Sequence, residues 1–202
     1  LKRFGVETTY YDPLIGAGIA DLIRENTSVV FTEAPGSQTF EMQDIPAIAE
    51  IVHARGAAVI MDNTWATPLL FPPHARGVDI AVEAGTKYLS GGSDLLLGLT
   101  SANAQYWPAL HRTFEHFAMC PGPEDVFLAL RGLRTMALRL REHGAQGLAM
   151  ARWLQARPEV ARVLHPGLPD DPGHAIWKRD FSGASGLFGV ILKPAPERAV
   201  AA

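Results

Sequence analysis

Through the first two-thirds of the chain, short apolar runs bounded by turn-forming residues alternate with stretches whose apolar residues recur at helical spacing. Pro13 to Arg24 is helix-like, and Asn26-Thr27 leads from it into a strand, Ser28-Val29-Val30-Phe31-Thr32-Glu33. After the loop Ala34-Pro35-Gly36-Ser37, Asp44 stands as the N-cap of a helix running to Arg55. Ile45, Ile48, Ile51 and Val52 share one face of it, and Gly56 ends it. Ala57-Ala58-Val59-Ile60-Met61 is apolar throughout rather than alternating, the pattern of a strand covered on both faces. Val78-Asp79-Ile80-Ala81-Val82 and Asp94 to Thr100 read as further strands. Strands separated by helices, without hairpin turns, predict a mostly parallel sheet in an α/β domain.

From Pro123 the period changes. Val126, Leu130, Leu133, Ala137, Leu140, Leu148, Ala151 and Leu154 recur at helical spacing as far as Pro158. That stretch exceeds an ordinary helix, which predicts two helices with a break near Gly144 or Gly147. Strands at Val160 to Leu164 and Gly186 to Leu192 follow. The expected organisation is a large domain over 1–132, incomplete at its N-terminus, and the opening of a smaller α+β domain over 133–202. Both ends read as cut: Leu1-Lys2-Arg3 has no initiator Met, and Ile191-Leu192-Lys193 runs into Pro194-Ala195-Pro196.

The 202 residues are 48% hydrophobic and 19% charged, enough apolar material for a folded core. A net charge of −3 with dispersed Lys and Arg gives no basis for a nucleic-acid partner or an anionic membrane. No apolar run reaches the roughly 18 residues of a bilayer span. A single cysteine, Cys120, excludes an internal disulfide, fits a reducing cytoplasm and reads as an ordinary thiol. The histidines form no metal set: His111 and His116 miss the i, i+4 spacing, and no His-Glu-x-x-His occurs. His74, His143 and His165 read as surface or satisfied core residues. Gly16-Ala17-Gly18 lacks the third glycine and the preceding strand of a dinucleotide fingerprint.

In open parallel sheets ligands bind beyond the carboxyl ends of the strands, and two ionisable residues fall there. Asp62 directly follows the second strand, and Lys87 follows the third by Glu83-Ala84-Gly85-Thr86. Alone, Asp62 in Asp62-Asn63-Thr64 reads as a turn residue and Lys87 as a solvated lysine. Together, on neighbouring strands, they can converge on one ligand. Pyridoxal phosphate wants such a pair: an amine for a Schiff base, and a carboxylate to keep the pyridine nitrogen protonated. Thr86, Ser90, Gly91, Gly92 and Ser93 supply hydroxyls and amides that can meet a phosphate.

The stretches Met61-Asp62-Asn63-Thr64-Trp65-Ala66-Thr67-Pro68 and Gly85-Thr86-Lys87-Tyr88-Leu89-Ser90-Gly91-Gly92-Ser93-Asp94 resemble the trans-sulfuration enzymes of Cys/Met metabolism. The resemblance extends through Arg131-Gly132-Leu133-Arg134-Thr135 and Trp177 to Phe188. It implies an α/β, aspartate-aminotransferase-like (fold type I) large domain, a pyridoxal 5'-phosphate cofactor and a homo-oligomer, a dimer of dimers. Glu33-Ala34-Pro35-Gly36-Ser37, Trp65 and Ala84 resemble the β-lyase branch; other branches usually have Asn-Pro in the loop, Phe for Trp65 and Ser for Ala84. Gly92 departs from the usual Gly-His-Ser-Asp. By resemblance, Lys87 holds the cofactor and takes the substrate's Cα proton. Asp62 pairs with the ring nitrogen, Thr86 binds phosphate, and Thr64 lies against the ring or its O3′ edge. The implied reaction is β-elimination of L-cystathionine to homocysteine, pyruvate and ammonia. The alternatives are a γ-eliminating or γ-replacing relative and a non-catalytic truncated homologue. The family's ring-stacking Tyr, phosphate-loop Gly and carboxylate-binding Arg have no match here, and Arg134, Arg139 and Arg141 read as structural.

Overall fold

The computed structural model describes residues 1–194. The sequence-predicted stop at Pro194-Ala195-Pro196 lies mostly outside them. A four-stranded sheet runs in the order β1 (Val29–Glu33), β2 (Ala58–Asp62), β3 (Ile80–Ala84), β4 (Gly98–Ala102). The first three strands are parallel, with Glu33 opposite Asp62 and Asp62 opposite Val82. β4 returns antiparallel to β3, pairing Glu83 with Leu99 and Ala84 with Gly98. The sheet is therefore mostly parallel, as expected, but its last strand is reversed and shorter than predicted. Asp94 lies outside the ladder, ion-paired to Arg131 at 2.6 Å, and Leu96 stands in solvent.

Helix α1 (Ile45–Ala54) forms where Asp44 predicts it. The Asp44 carboxylate accepts the Ala47 N–H at 3.2 Å, and Pro46 tolerates the first turn, where no intrahelical donor is needed. Its apolar stripe buries Ile45, Ile48, Ala49 and Val52 against the sheet face that carries Val30, Val59, Met61 and Ala81. Each large side chain buried this way contributes about 1.5–3 kcal/mol. The opposite sheet face leaves Phe31 54% exposed. The segment before β1 is not the predicted helix: only Gly16–Asp21 coils, as a 3-10 turn. Gly16 and Gly18 disfavour a longer one, because glycine loses the most backbone freedom on entering a helix.

After the short α2 (Thr67–Leu70) and α3 (Trp107–His116), the long helical stretch divides into α4 (Pro123–Leu133) and α5 (Met136–Gln155). The break falls at Arg134-Thr135, not at Gly144 or Gly147. Those glycines stay helical because backbone from the other side of the molecule packs onto them: Ala184 O meets Gly144, and Gly186 meets Gly147. Beyond α5, β5 (Val160–Leu164) and β6 (Gly189–Leu192) form an antiparallel pair, with α6 (His174–Asp180) between them. Ala151 of α5 packs with Val160, Val163 and Leu168 in a second small core.

The two sheets are joined around Trp65, whose indole N–H donates to Leu187 O at 2.9 Å. Phe181 stacks on Phe71 at 4.7 Å and stands edge-on to Trp65 at 6.1 Å. His165, expected to be satisfied, is only half so. Its Nδ1 accepts the Gly167 N–H at 3.0 Å, while the buried Nε2 finds no hydrogen-bond partner and the ring stands edge-on to Trp65. Burial pushes the imidazole pKa down to about 4, so it stays neutral.

Candidate active site at the carboxyl ends of the parallel strands

Parallel pairing brings the ends of β1, β2 and β3 level, and each contributes to one cluster. Glu33 and Asp62 are register partners, so their side chains leave the same face of the sheet. Asp62 is half-buried. Its Oδ1 accepts the Thr64 N–H at 2.9 Å, and no partner is found for Oδ2 among the described residues. Thr64 is buried, and its hydroxyl oxygen accepts the Ala84 N–H at 2.8 Å, stitching the end of β2 to the end of β3. Both predicted residues of the Asp-Asn-Thr turn thus sit where the second and third strands meet.

Lys87 lies on the turn that leaves β3. Its backbone N–H donates to Ala84 O at 3.0 Å, and its side chain is exposed with no ion-pair partner among the described residues. Glu33 reports on both predicted residues. Burial raises its pKa first, the Ser37 N–H opposes that, the Asp62 charge raises it further, and the Lys87 charge lowers it. The charges of Asp62 and Lys87 are thus both felt at the Glu33 carboxylate. A second acid, Glu83, is pushed up to about 7, by burial first and by the Asp62 charge second. Asp62 is the charge that both raised acids share, and it lies at the end of the strand between theirs. Neither Glu33 nor Glu83 stood out in sequence as a site residue. The strand register that sets them beside Asp62 is not legible from spacing.

Thr86 is half-buried and bridges to the start of β4: its oxygen accepts the Leu97 N–H at 3.1 Å, and its own N–H donates to Leu97 O at 3.3 Å. The hydroxyl proton remains available to an anionic ligand. Ser90 and Gly91 are otherwise engaged. The Ser90 hydroxyl donates to Thr86 O at 2.9 Å, the Ser90 N–H to Gly85 O, and the Gly91 N–H to Lys87 O. These groups close the turn around Lys87, so they are not the phosphate donors that sequence offered. Gly92 has a local explanation: a Cβ there would lie 2.6 Å from Asp94 Oδ1, and Arg131 holds that carboxylate in place.

The donor set fits pyridoxal phosphate: an untethered amine, a carboxylate with one oxygen uncommitted, and a hydroxyl with a free proton at the end of β3. Known proteins agree in kind. The model of the family described as Cys/Met metabolism PLP-dependent enzyme matches residues 1–201. A Saccharomyces cerevisiae protein that carries the name cystathionine β-lyase provisionally is 56% identical over 193 residues, 96% of this chain and 57% of its own length. The cystathionine β-lyase MetC of Escherichia coli is 44% identical over 195 residues, 96% of this chain and 49% of its own. Among solved structures, cystathionine γ-lyase from Lactobacillus plantarum complexed with L-serine gives a TM-score of 0.90 at 30% identity, covering 96% of this chain and 51% of that one. The chain spans about half the length of the relatives it matches.

Proposed function

The chain belongs to the pyridoxal-phosphate-dependent enzymes of Cys/Met metabolism, and on that premise we propose that it is part of a carbon–sulfur lyase carrying out β-elimination of L-cystathionine. Its fold is the α/β, aspartate-aminotransferase-like fold of those enzymes. The observation that supports the reading is geometric: Asp62, with one carboxylate oxygen uncommitted, ends β2, and Lys87, unpaired among the described residues, lies on the turn leaving the neighbouring β3, with Thr64 tying the two strand ends together.

When bound, pyridoxal phosphate draws electrons from the substrate's Cα through its protonated ring. Asp62 would keep the proton on the ring nitrogen with the oxygen that Thr64 leaves free. The Thr64 N–H on Oδ1 fixes that carboxylate's orientation. Lys87 would hold the cofactor through its ε-amine, and the same amine, when free, would take the Cα proton. The Thr86 hydroxyl would donate to the phosphate while its oxygen accepts the Leu97 N–H. Thr64, whose hydroxyl oxygen accepts the Ala84 N–H, would keep its hydroxyl proton for the ring or its O3′ edge. Loss of the Cα proton drives out the Cβ substituent, so the sulfur leaves as homocysteine and the remainder hydrolyses to pyruvate and ammonia.

The division near Gly132 into a cofactor-binding domain and a smaller domain belongs to the same proposal. It is supported by the four-stranded sheet lying wholly before that residue and the two-stranded sheet wholly after it. No described helix is long and apolar enough to cross a membrane. Action in the cytoplasm, in a homo-oligomer of the whole protein, completes the proposal.

The test uses the full-length protein loaded with pyridoxal phosphate. Wild type shows the visible absorbance of cofactor bound covalently to a lysine, and Lys87→Ala lacks it. Cystathionine then yields pyruvate. A γ-eliminating enzyme, which the likeness to the γ-lyase structure keeps as the second reading, yields 2-oxobutyrate instead. Absence of the visible band in wild type sinks both readings.

A further inference from the structure

The turn that carries Lys87 leaves backbone oxygens uncapped. Residues 85–91 close on themselves through Ser90 N–H to Gly85 O, Gly91 N–H to Lys87 O at 2.9 Å and Ser90 Oγ to Thr86 O. The carbonyls of Tyr88 and Leu89 point instead at α5, where the Arg139 guanidinium meets them. Nη2 donates to Tyr88 O at 2.8 Å, to Leu89 O at 3.2 Å and to Gly132 O at 2.9 Å. Nε donates to Thr135 Oγ1 at 3.0 Å, holding the guanidinium to the first turn of its own helix.

Two glycines make room for this contact. Gly91 has φ +66°, and a Cβ on it would run into the Arg139 guanidinium. A Cβ on Gly132 would run into the carbonyl oxygens of Ser90 and Leu89. Tyr88 fastens the same turn from another side: its Oη accepts the Gly186 N–H at 2.9 Å, and its ring stands edge-on to His143. The Lys87 side chain has no ion pair of its own among the described residues. Its direction is therefore set by the backbone of this turn.

We propose that Arg139 is a positioning residue for Lys87, its Nη2 gripping the Tyr88 and Leu89 carbonyls while Nε is held by Thr135, so that helix α5 sets how the ε-amine is presented to the cofactor. The proposal rests on Lys87 being the cofactor lysine. A guanidinium suits the task because its donors lie in a fixed plane and reach several carbonyls at once, whereas an ammonium is a single point of charge on a flexible stem. Releasing the turn misaims an amine that must both bond the cofactor and reach the Cα proton. Misplacements of about 1 Å in such groups cost on the order of a hundredfold in rate.

The experiment compares wild type, Arg139→Ala and Arg139→Lys in the full-length holoprotein. Three quantities are read: the pH midpoint of the visible cofactor band, kcat against KM, and the effect of added free guanidinium ion. In Arg139→Ala the midpoint moves, because the loosened turn no longer presents the Lys87 nitrogen to the cofactor in one position. kcat falls on the order of tenfold to a hundredfold while KM changes little. Guanidinium at non-denaturing concentration moves both back toward wild type. Arg139→Lys shows the same changes to a smaller degree, and it decides the matter if the Ala variant does not fold. Wild-type midpoint and kcat in every folded variant overturn the proposal, as does lowered thermal stability with neither quantity moved. A wild-type protein without the visible band, or a Lys87→Ala variant that keeps it, overturns the underlying reading instead.

Discussion

Replacing Glu83 by Gln should stabilise the apoprotein, and only above a definable pH. Glu83 lies half-buried on β3, with no hydrogen bond or ion pair to its carboxylate among the described residues. Burial and then the nearby Asp62 charge raise its pKa from 4.5 to about 7. A carboxyl whose folded pKa exceeds its unfolded one binds its proton more tightly in the folded state. Its contribution is therefore fully present below 4.5, is lost as pH rises through the interval to about 7, and stays lost above it. The full shift corresponds to at most about 3 kcal/mol. Because the group keeps part of its contact with water, screening reduces the expected figure to about 1–2 kcal/mol. Gln has nearly the same shape and no charge to desolvate. Urea midpoints of the full-length apoprotein and of Glu83→Gln should coincide near the lower end of the window and diverge through it, the variant being the more stable at about pH 8. A difference independent of pH, or one favouring wild type at high pH, would refute the reasoning.

Two further predictions concern the frame around the site. Asp79 accepts hydrogen bonds from Val59 N, Asn103 Nδ2 and His53 Nε2, each at 2.8 Å, so Asp79→Ala leaves a buried strand N–H without a partner. The expected loss is about 3 kcal/mol, read as a lowered urea midpoint, with Asp79→Asn losing less. Gly144→Ala sets a methyl against the Ala184 carbonyl and should cost about 1–3 kcal/mol, whereas Gly98→Ala, with nothing within 4 Å of the added carbon, should leave the thermal midpoint unchanged.

Local patterns proved legible where the deciding interaction is local. Asp44 caps α1 because its carboxylate reaches an N–H three residues on, and the stripe from Ile45 to Val52 sits on one helix face whatever lies beyond it. The apolar run at Ala58 to Met61 announced a strand for the same reason. The Asp62 and Lys87 pairing was inferred from two strand ends and from the resemblance carried by their motifs. Elements whose outcome depends on a distant neighbour were not legible. β4 runs antiparallel because its partners are chosen along the length of β3, and the Gly144 and Gly147 positions remain helical because Ala184 and Gly186 press on them from forty residues away.

The sequence by itself determined helix α1 and the first three strands, where the amine and the carboxylate fall along them, and which family they resemble. Only the tertiary structure decided which acids surround Asp62, which hydroxyls are already spent within the Lys87 turn, and that Arg139 grips that turn from another helix. The physical reason is that hydrogen bonds and charge interactions depend on distances of a few ångströms. Between residues far apart in the chain, those distances exist only once the whole set of elements has packed.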